Sequence, residues 1–174
     1  MCYFGKTKCL QEFKSITINN WNDNNGNSML HYCAMKGNTK SAQYVISKLG
    51  IDCNALNKNK ETALHKAVEA DYHEIVHLLL SKGADLNIQD NKGRTPIHNA
   101  AKKGSIHSLK QLVERGALIN KLDYKRRTAL HWCCIGGHKL IADLLLNENA
   151  DINCVDIKKR TPLHYASLFG NIAW

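Results

Sequence analysis

Apolar and polar positions along this chain fall into short blocks that change period and then start again. In Pro96-Ile97-His98-Asn99-Ala100-Ala101-Lys102-Lys103-Gly104 the small and apolar residues keep helical spacing up to a glycine. Thr95 supplies an N-cap and Pro96 stands at the first helical position, so the spacing predicts a short helix from Pro96. Gly104 ends it, because a left-handed C-cap costs glycine least. From Ile106 through Leu109, Leu112 and Val113 the spacing is helical again, and Gly116 stops a second helix that runs antiparallel to the first across a short loop. Ahead of the first helix, Asp90-Asn91-Lys92-Gly93 carries the Asp-x-x-Gly signal of a turn.

The same block recurs. Ser28-Met29-Leu30-His31, Thr62-Ala63-Leu64-His65, Thr95-Pro96-Ile97-His98, Thr128-Ala129-Leu130-His131 and Thr161-Pro162-Leu163-His164 follow one another at separations of 34, 33, 33 and 33 residues. A period that regular fixes the architecture: each unit is too small to bury its own apolar face, so units stack and each touches only its neighbours. Function then belongs to the surface that the stack presents.

The combination of Asp, Gly, Thr-Pro-Leu-His, Ala-Ala, Gly-His, paired leucines, Gly-Ala and Asn resembles the ankyrin-repeat family. Residues 57–89, 90–122 and 123–155 meet the pattern nearly in full, residues 23–56 meet it with an extra residue near Gly50, and residues 156–174 carry only the first helix. Residues 1–22 read as an N-terminal capping half-repeat, with Cys9, Leu10 and Phe13 at helical spacing within residues 5–18. The expected fold is an all-α repeat solenoid in which each ankyrin repeat is a helix-turn-helix with a projecting β-hairpin or loop, about four full repeats with half-repeats at both ends. Asp71 and Asn149 replace helix-ending glycines, and both residue types accept the left-handed conformation. The pattern stops at Asn171-Ile172-Ala173-Trp174, where a second helix should begin; this leads us to expect a truncated product or a fragment of a longer protein.

Composition narrows the setting. No apolar run approaches the roughly 20 residues of a membrane span, and the first residues lack an apolar signal core. Seven cysteines, an odd number without CxxC pairs, point to reduced thiols and a cytoplasmic or nuclear location. Cys33, Cys133 and Cys134 stand where the pattern uses small apolar residues. A formal charge of +9 favours acidic partners: protein, nucleic acid or lipid head groups.

Three features look chemical. His73-Glu74-Ile75-Val76-His77 fits HExxH, in which two histidines one turn apart bind zinc and the glutamate activates water. Ile75, Val76, Leu79 and Leu80 form the apolar face of the same helix, so the segment reads as repeat consensus and a zinc hydrolase is a remote alternative. His31, His65, His98, His131 and His164 recur once per repeat, about 10 Å apart if helices pack normally, too far to share a metal at about 2 Å. The family resemblance implies that each bonds the Thr of its own motif and nearby backbone. No cofactor is expected and no catalytic set is apparent. The resemblance also extends to substrates of the asparaginyl hydroxylase that acts on ankyrin repeats, which implies modification at Asn87 (with Leu79 and Asp85) and Asn153 (with Leu145 and Asp151).

Ankyrin stacks usually bind partners through hairpin tips and the exposed face of the first helices. Aligning the copies puts Lys92, Arg94, Lys125, Arg127, Lys158 and Arg160 at tips, with Lys102 and Lys103 on a first helix and Tyr124, Ile135 and Phe169 as apolar neighbours. The expected function is a non-enzymatic protein-interaction scaffold or adaptor, monomeric unless its C-terminal end self-associates, that takes an acidic, partly apolar protein segment on its concave face and tips. The alternative is a basic edge for nucleic acid or anionic lipid; with few aromatics among the cations, base stacking has little support.

Overall fold

The computed structural model describes residues 21–171. The half-repeat expected over residues 1–22, including Cys9, Leu10 and Phe13, therefore lies almost wholly outside the described residues, as do residues 172–174. Among the described residues the chain forms α1 (Met29–Lys36), α2 (Thr39–Leu49), α3 (Ala63–Glu69), α4 (His73–Ser81), α5 (Pro96–Lys103), α6 (Ile106–Glu114), α7 (Ala129–Gly136), α8 (Lys139–Asn147) and α9 (Pro162–Leu168). Odd-numbered helices are the first of each pair and stack on one another; α2, α4, α6 and α8 form a second row behind them.

Local chemistry sets the helix ends. The Ser or Thr before each first helix caps it, and the third helical residue, always histidine, returns a bond to the cap's backbone. Gly37, Gly104 and Gly137 end α1, α5 and α7 in the left-handed region, and Asp71 (φ 53°) takes the same conformation after α3. Asn149 (φ 60°) does so after α8. Asp71 adds something glycine cannot: its carboxylate accepts from the backbone N–H and hydroxyl of Ser108 at 2.9 and 2.7 Å, capping the start of α6 in the following repeat.

The stack buries what a single repeat cannot. At the third motif position Leu30, Leu64, Ile97 and Leu130 are 1%, 0%, 1% and 4% exposed, whereas Leu163 is 68% exposed. Burial of this position thus comes from the repeat that follows, which is why neighbouring repeats stabilise each other. Ile75, Leu79, Leu109, Leu112, Ile141 and Leu145 fill the space between the two helical rows.

Of the two expected forms, β-hairpin or loop, the projecting element takes the loop. Among the described residues no strand is present, and each finger is a tight turn closed by an aspartate side chain, or in the second finger by the Asn57 amide oxygen. In the third finger Asp90 N–H donates to the Arg94 carbonyl at 2.9 Å, while the Asp90 side chain accepts from the N–H groups of Lys92 and Arg94, each at 2.8 Å. The aspartate replaces the ladder bonds a strand pair would make, so one side chain sets the shape of the tip.

Candidate functional site: the basic fingers

Each finger is bonded to the next through its backbone. Lys58 N–H donates to Asn25 O at 2.9 Å, Asn91 to Asn59 at 2.8 Å, Tyr124 to Lys92 at 3.0 Å and Ile157 to Lys125 at 3.1 Å. These bonds put Asn59, Lys92, Lys125 and Lys158 at the same place on consecutive tips. Close approach is obligatory at Gly93: at φ 74° a Cβ there would stand 2.6 Å from the Tyr124 backbone nitrogen. The Tyr124 ring lies along that glycine and remains 63% exposed.

The arginines of the tips have another role than the sequence suggested. Arg94 is only 6% exposed, and its guanidinium meets Asp90 through Nε at 2.8 Å and Nη2 at 2.6 Å. Arg127 repeats the arrangement on Asp123 at 2.9 and 2.8 Å and lies 3.9 Å over the Trp132 ring. Arg160 pairs with Asp156 at 2.8 Å, bonds the Tyr165 hydroxyl, and covers that ring at 4.4 Å. These charges are neutralised inside their own repeats, Arg94 completely, so Arg94 belongs to the frame rather than to an exposed surface. The signal in the sequence was the Asp-x-x-x-Arg spacing across each turn. In the second finger, Glu61 and Lys66 at 2.7 Å perform the same closure.

The remaining basic residues are free to face solvent. Lys92, Lys102, Lys103, Lys125 and Lys158 are exposed, Phe169 is 52% exposed, and Ile135 is half-buried against the core. Lys102 places its ammonium 5.3 Å from the Trp132 ring centre. Partial desolvation, followed by the charges of Arg94, Lys103 and Lys92, holds Lys102 below the usual lysine value.

The histidines tie repeats together. In His65 Nδ1 accepts from the Thr62 N–H at 3.2 Å, which leaves Nε2–H to donate to the Arg94 carbonyl at 3.1 Å. His31 reaches Glu61 O at 2.9 Å, His98 reaches Lys121 O and Arg127 O at 2.9 and 3.2 Å, and His131 reaches Arg160 O at 3.1 Å. Burial pushes all four below the usual histidine value, His98 to about 4. The rings are therefore neutral structural links with no lone pair to spare for a metal.

The HExxH segment occupies α4. Its Ile75 and Val76 are buried while His73, Glu74 and His77 face outward, and the His73 and His107 rings lie 5.6 Å apart. Among the described residues no group of three or more His, Cys, Asp or Glu side chains is placed to hold a metal ion.

Asn87 belongs to a further ladder. Asn54, Asn87 and Asn120 accept the backbone N–H of Asp85, Leu118 and Asp151 in the next repeat at 2.8, 3.2 and 2.8 Å. Asn153, with its own N–H bonded to Asp151 at 2.8 Å, is exposed. Of the cysteines, burial raises Cys33 to about 11, and its neighbour Cys134 together with burial keeps Cys133 protonated. No helix among the described residues is long and apolar enough to cross a membrane.

Comparison with known proteins agrees with this geometry. No individual curated protein matches the chain significantly. The family model described as ankyrin repeats (3 copies) matches residues 1–90, 49–123, 82–156 and 120–173. With its stacked helix pairs, capped histidines and projecting turns, the chain belongs to the ankyrin-repeat family, whose members generally act as non-enzymatic protein-interaction modules.

Proposed function

We propose that the protein is an adaptor that holds an acidic, partly apolar segment of another protein along its finger tips and the adjoining face of its first helices. The observation that carries this reading is the column of Lys92, Lys125 and Lys158 on tips joined by backbone bonds at 3.0 and 3.1 Å. Their backbones are held in register on one rail, so the exposed ammoniums line one edge, an arrangement that favours a complementary line of negative charge. Lys102 and Lys103 extend the charge onto α5, while Tyr124, Ile135 and Phe169 supply apolar contact. Successive repeats lie about 10 Å apart and a polyproline II chain has three residues per turn with a rise of about 3.1 Å per residue, so acidic residues at every third position fall on one face and match the rail. Arg127 and Arg160, already paired with aspartates, contribute through their stacked aromatic neighbours rather than as free charges.

Affinity capture from the native cell tests the reading. The wild-type protein retains its partner and the Lys102→Glu, Lys103→Glu double variant loses it; equal recovery on both would exclude an electrostatic interface. A nucleic acid or anionic vesicle in the captured material would instead favour the basic edge as a general polyanion surface. The protein acts as a monomer in the cytoplasm or nucleus on this reading, a setting supported by the buried thiols. Asn87 and Asn153 are proposed hydroxylation positions, Asn153 the more accessible; intact mass of protein from its native cell, with or without a gain of about 16 Da, one oxygen, decides this.

A further inference from the structure

The five repeats place Tyr32, Lys66, Asn99, Trp132 and Tyr165 at one position of the first helix. Four of them close back onto their own finger. The Tyr32 hydroxyl donates to Asp23 at 2.7 Å, the Lys66 ammonium pairs with Glu61 at 2.7 Å, Trp132 Nε1 donates to Asp123 at 3.2 Å, and the Tyr165 hydroxyl donates to Asp156 at 2.7 Å. Asn99 breaks the series: it makes no hydrogen bond to Asp90, and it is 0% exposed with neither Nδ2 nor Oδ1 hydrogen-bonded. A buried amide without partners is costly, and native proteins rarely keep one.

Basic residues also gather around the same helix. Lys102 lies one turn beyond Asn99 on α5, and Lys103 and Lys92, neither of them ion-paired among the described residues, are close enough to disfavour its charged form, as is Arg94, whose own charge Asp90 already balances. Glu69 acts on Lys102 in the opposite direction, but its carboxylate also stands 3.8 Å from the Lys66 ammonium. An excess of cations beside an amide with an unused N–H lacks one negative group that accepts hydrogen bonds.

We infer that the third repeat anchors the partner through a single carboxylate side chain, seated between the ammoniums of Lys92 and Lys102 and taking a hydrogen bond from Asn99 Nδ2. The inference rests on the reading of this face as a surface for an acidic protein segment, and it adds that the lysines are unequal. Asn99 is closed to solvent in the free protein, so binding requires Lys102 to turn from the Trp132 ring toward the carboxylate and uncover the Asn99 amide, whose Oδ1 then accepts from the Lys102 ammonium. Both amide atoms that are unpaired in the free protein then acquire partners, so part of the affinity comes from satisfying a group already buried. Lys125 and Lys158, whose repeats have Trp132 and Tyr165 bonded to the finger carboxylates, supply only long-range attraction.

The test uses a fluorescein-labelled peptide of four Glu-Ser-Leu units, with a Gln-Ser-Leu peptide as its neutral control, titrated against the whole chain by anisotropy. Expected is a loss of about tenfold or more for Lys92→Ala with Lys102→Ala, against about threefold or less for Lys125→Ala with Lys158→Ala. Asn99→Leu, similar in size, is expected to raise the melting temperature while weakening the Glu peptide severalfold. Equal losses from the two lysine pairs would overturn the anchor and leave the acidic-segment reading standing. A lowered melting temperature with unchanged affinity in Asn99→Leu would also overturn it, by assigning Asn99 to structure. Equal affinity for the Glu and Gln peptides would remove the proposed function and the anchor with it.

Discussion

The Nε2–H of His65 donates to the backbone carbonyl of Arg94, 3.1 Å away in the next repeat. Arg94 in turn holds Asp90, whose carboxylate shapes the third finger, so one helix positions the neighbouring tip through two links. The surface proposed to bind a partner is thus built on contacts that run between repeats.

Removing such a link has a defined cost. His98→Ala leaves the Thr95 N–H and two carbonyls of the following segment without their bonds, and is expected to cost about 3 kcal/mol. His164, exposed and bonded only through Nδ1 among the described residues, makes a contrasting site whose alanine variant is expected to lose less than about 1 kcal/mol. Urea denaturation of the two variants measures the difference; equal losses would mean that the histidines serve only their own helix caps.

Acid should loosen the stack before it breaks the fingers. His98 sits near 4 in the folded protein against about 6.5 unfolded, a depressed value, so its stabilisation is present above pH 6.5 and disappears as pH falls toward 4. His98 alone is worth about 3 kcal/mol across that window. Asp156 is also depressed: desolvation pushes it up, but the Arg160 N–H groups and the Tyr165 hydroxyl hold it far below the ordinary carboxylate range. Its contribution is present above about pH 4 and lost only below it. Thermal melts across the acid range are expected to fall first between pH 6.5 and 4, and a flat profile there would contradict the buried neutral histidines.

Arginine and lysine on the same finger should separate stability from binding. Arg94→Ala strands the buried Asp90 carboxylate and is expected to cost about 3 kcal/mol, whereas exposed Lys92→Ala should change stability by less than about 0.5 kcal/mol. Chemical denaturation of both variants decides whether the two cations differ as their burial requires.

The asparagine ladder gives a smaller effect. Asn87→Ala removes the acceptor for the Leu118 N–H and is expected to cost about 1 kcal/mol, measured as a lowered denaturation midpoint. Asn120→Ala, which frees the Asp151 N–H, should behave alike; no change in either would assign these bonds no net weight.

Much of this was legible in the chain because ankyrin structure is written locally. Thr95-Pro96 starts α5, Gly104 ends it, and Asp71 and Asn149 take the left-handed conformation their side chains tolerate. What local reading missed were contacts made across a turn or between repeats. Arg94 looked like an exposed tip cation because its pairing with Asp90 appears only once the turn closes. Asn99 looked like an ordinary helix position; it stands out only when aligned with Tyr32, Lys66, Trp132 and Tyr165, each of which reaches a finger carboxylate that Asn99 does not. Whether the fingers would be hairpins or loops was left open by the sequence; they are loops, in which an aspartate side chain makes the bonds that a strand pair would make.

Charge reversal along the rail separates a binding surface from a row of solubilising lysines. Titrating the Glu-Ser-Leu peptide against wild type and the Lys92→Glu, Lys125→Glu, Lys158→Glu variant, with melting temperatures taken in parallel, measures it. The structure leads us to expect that wild type binds in a salt-sensitive manner while the variant, equally stable, does not bind. Undiminished binding by the variant would contradict it.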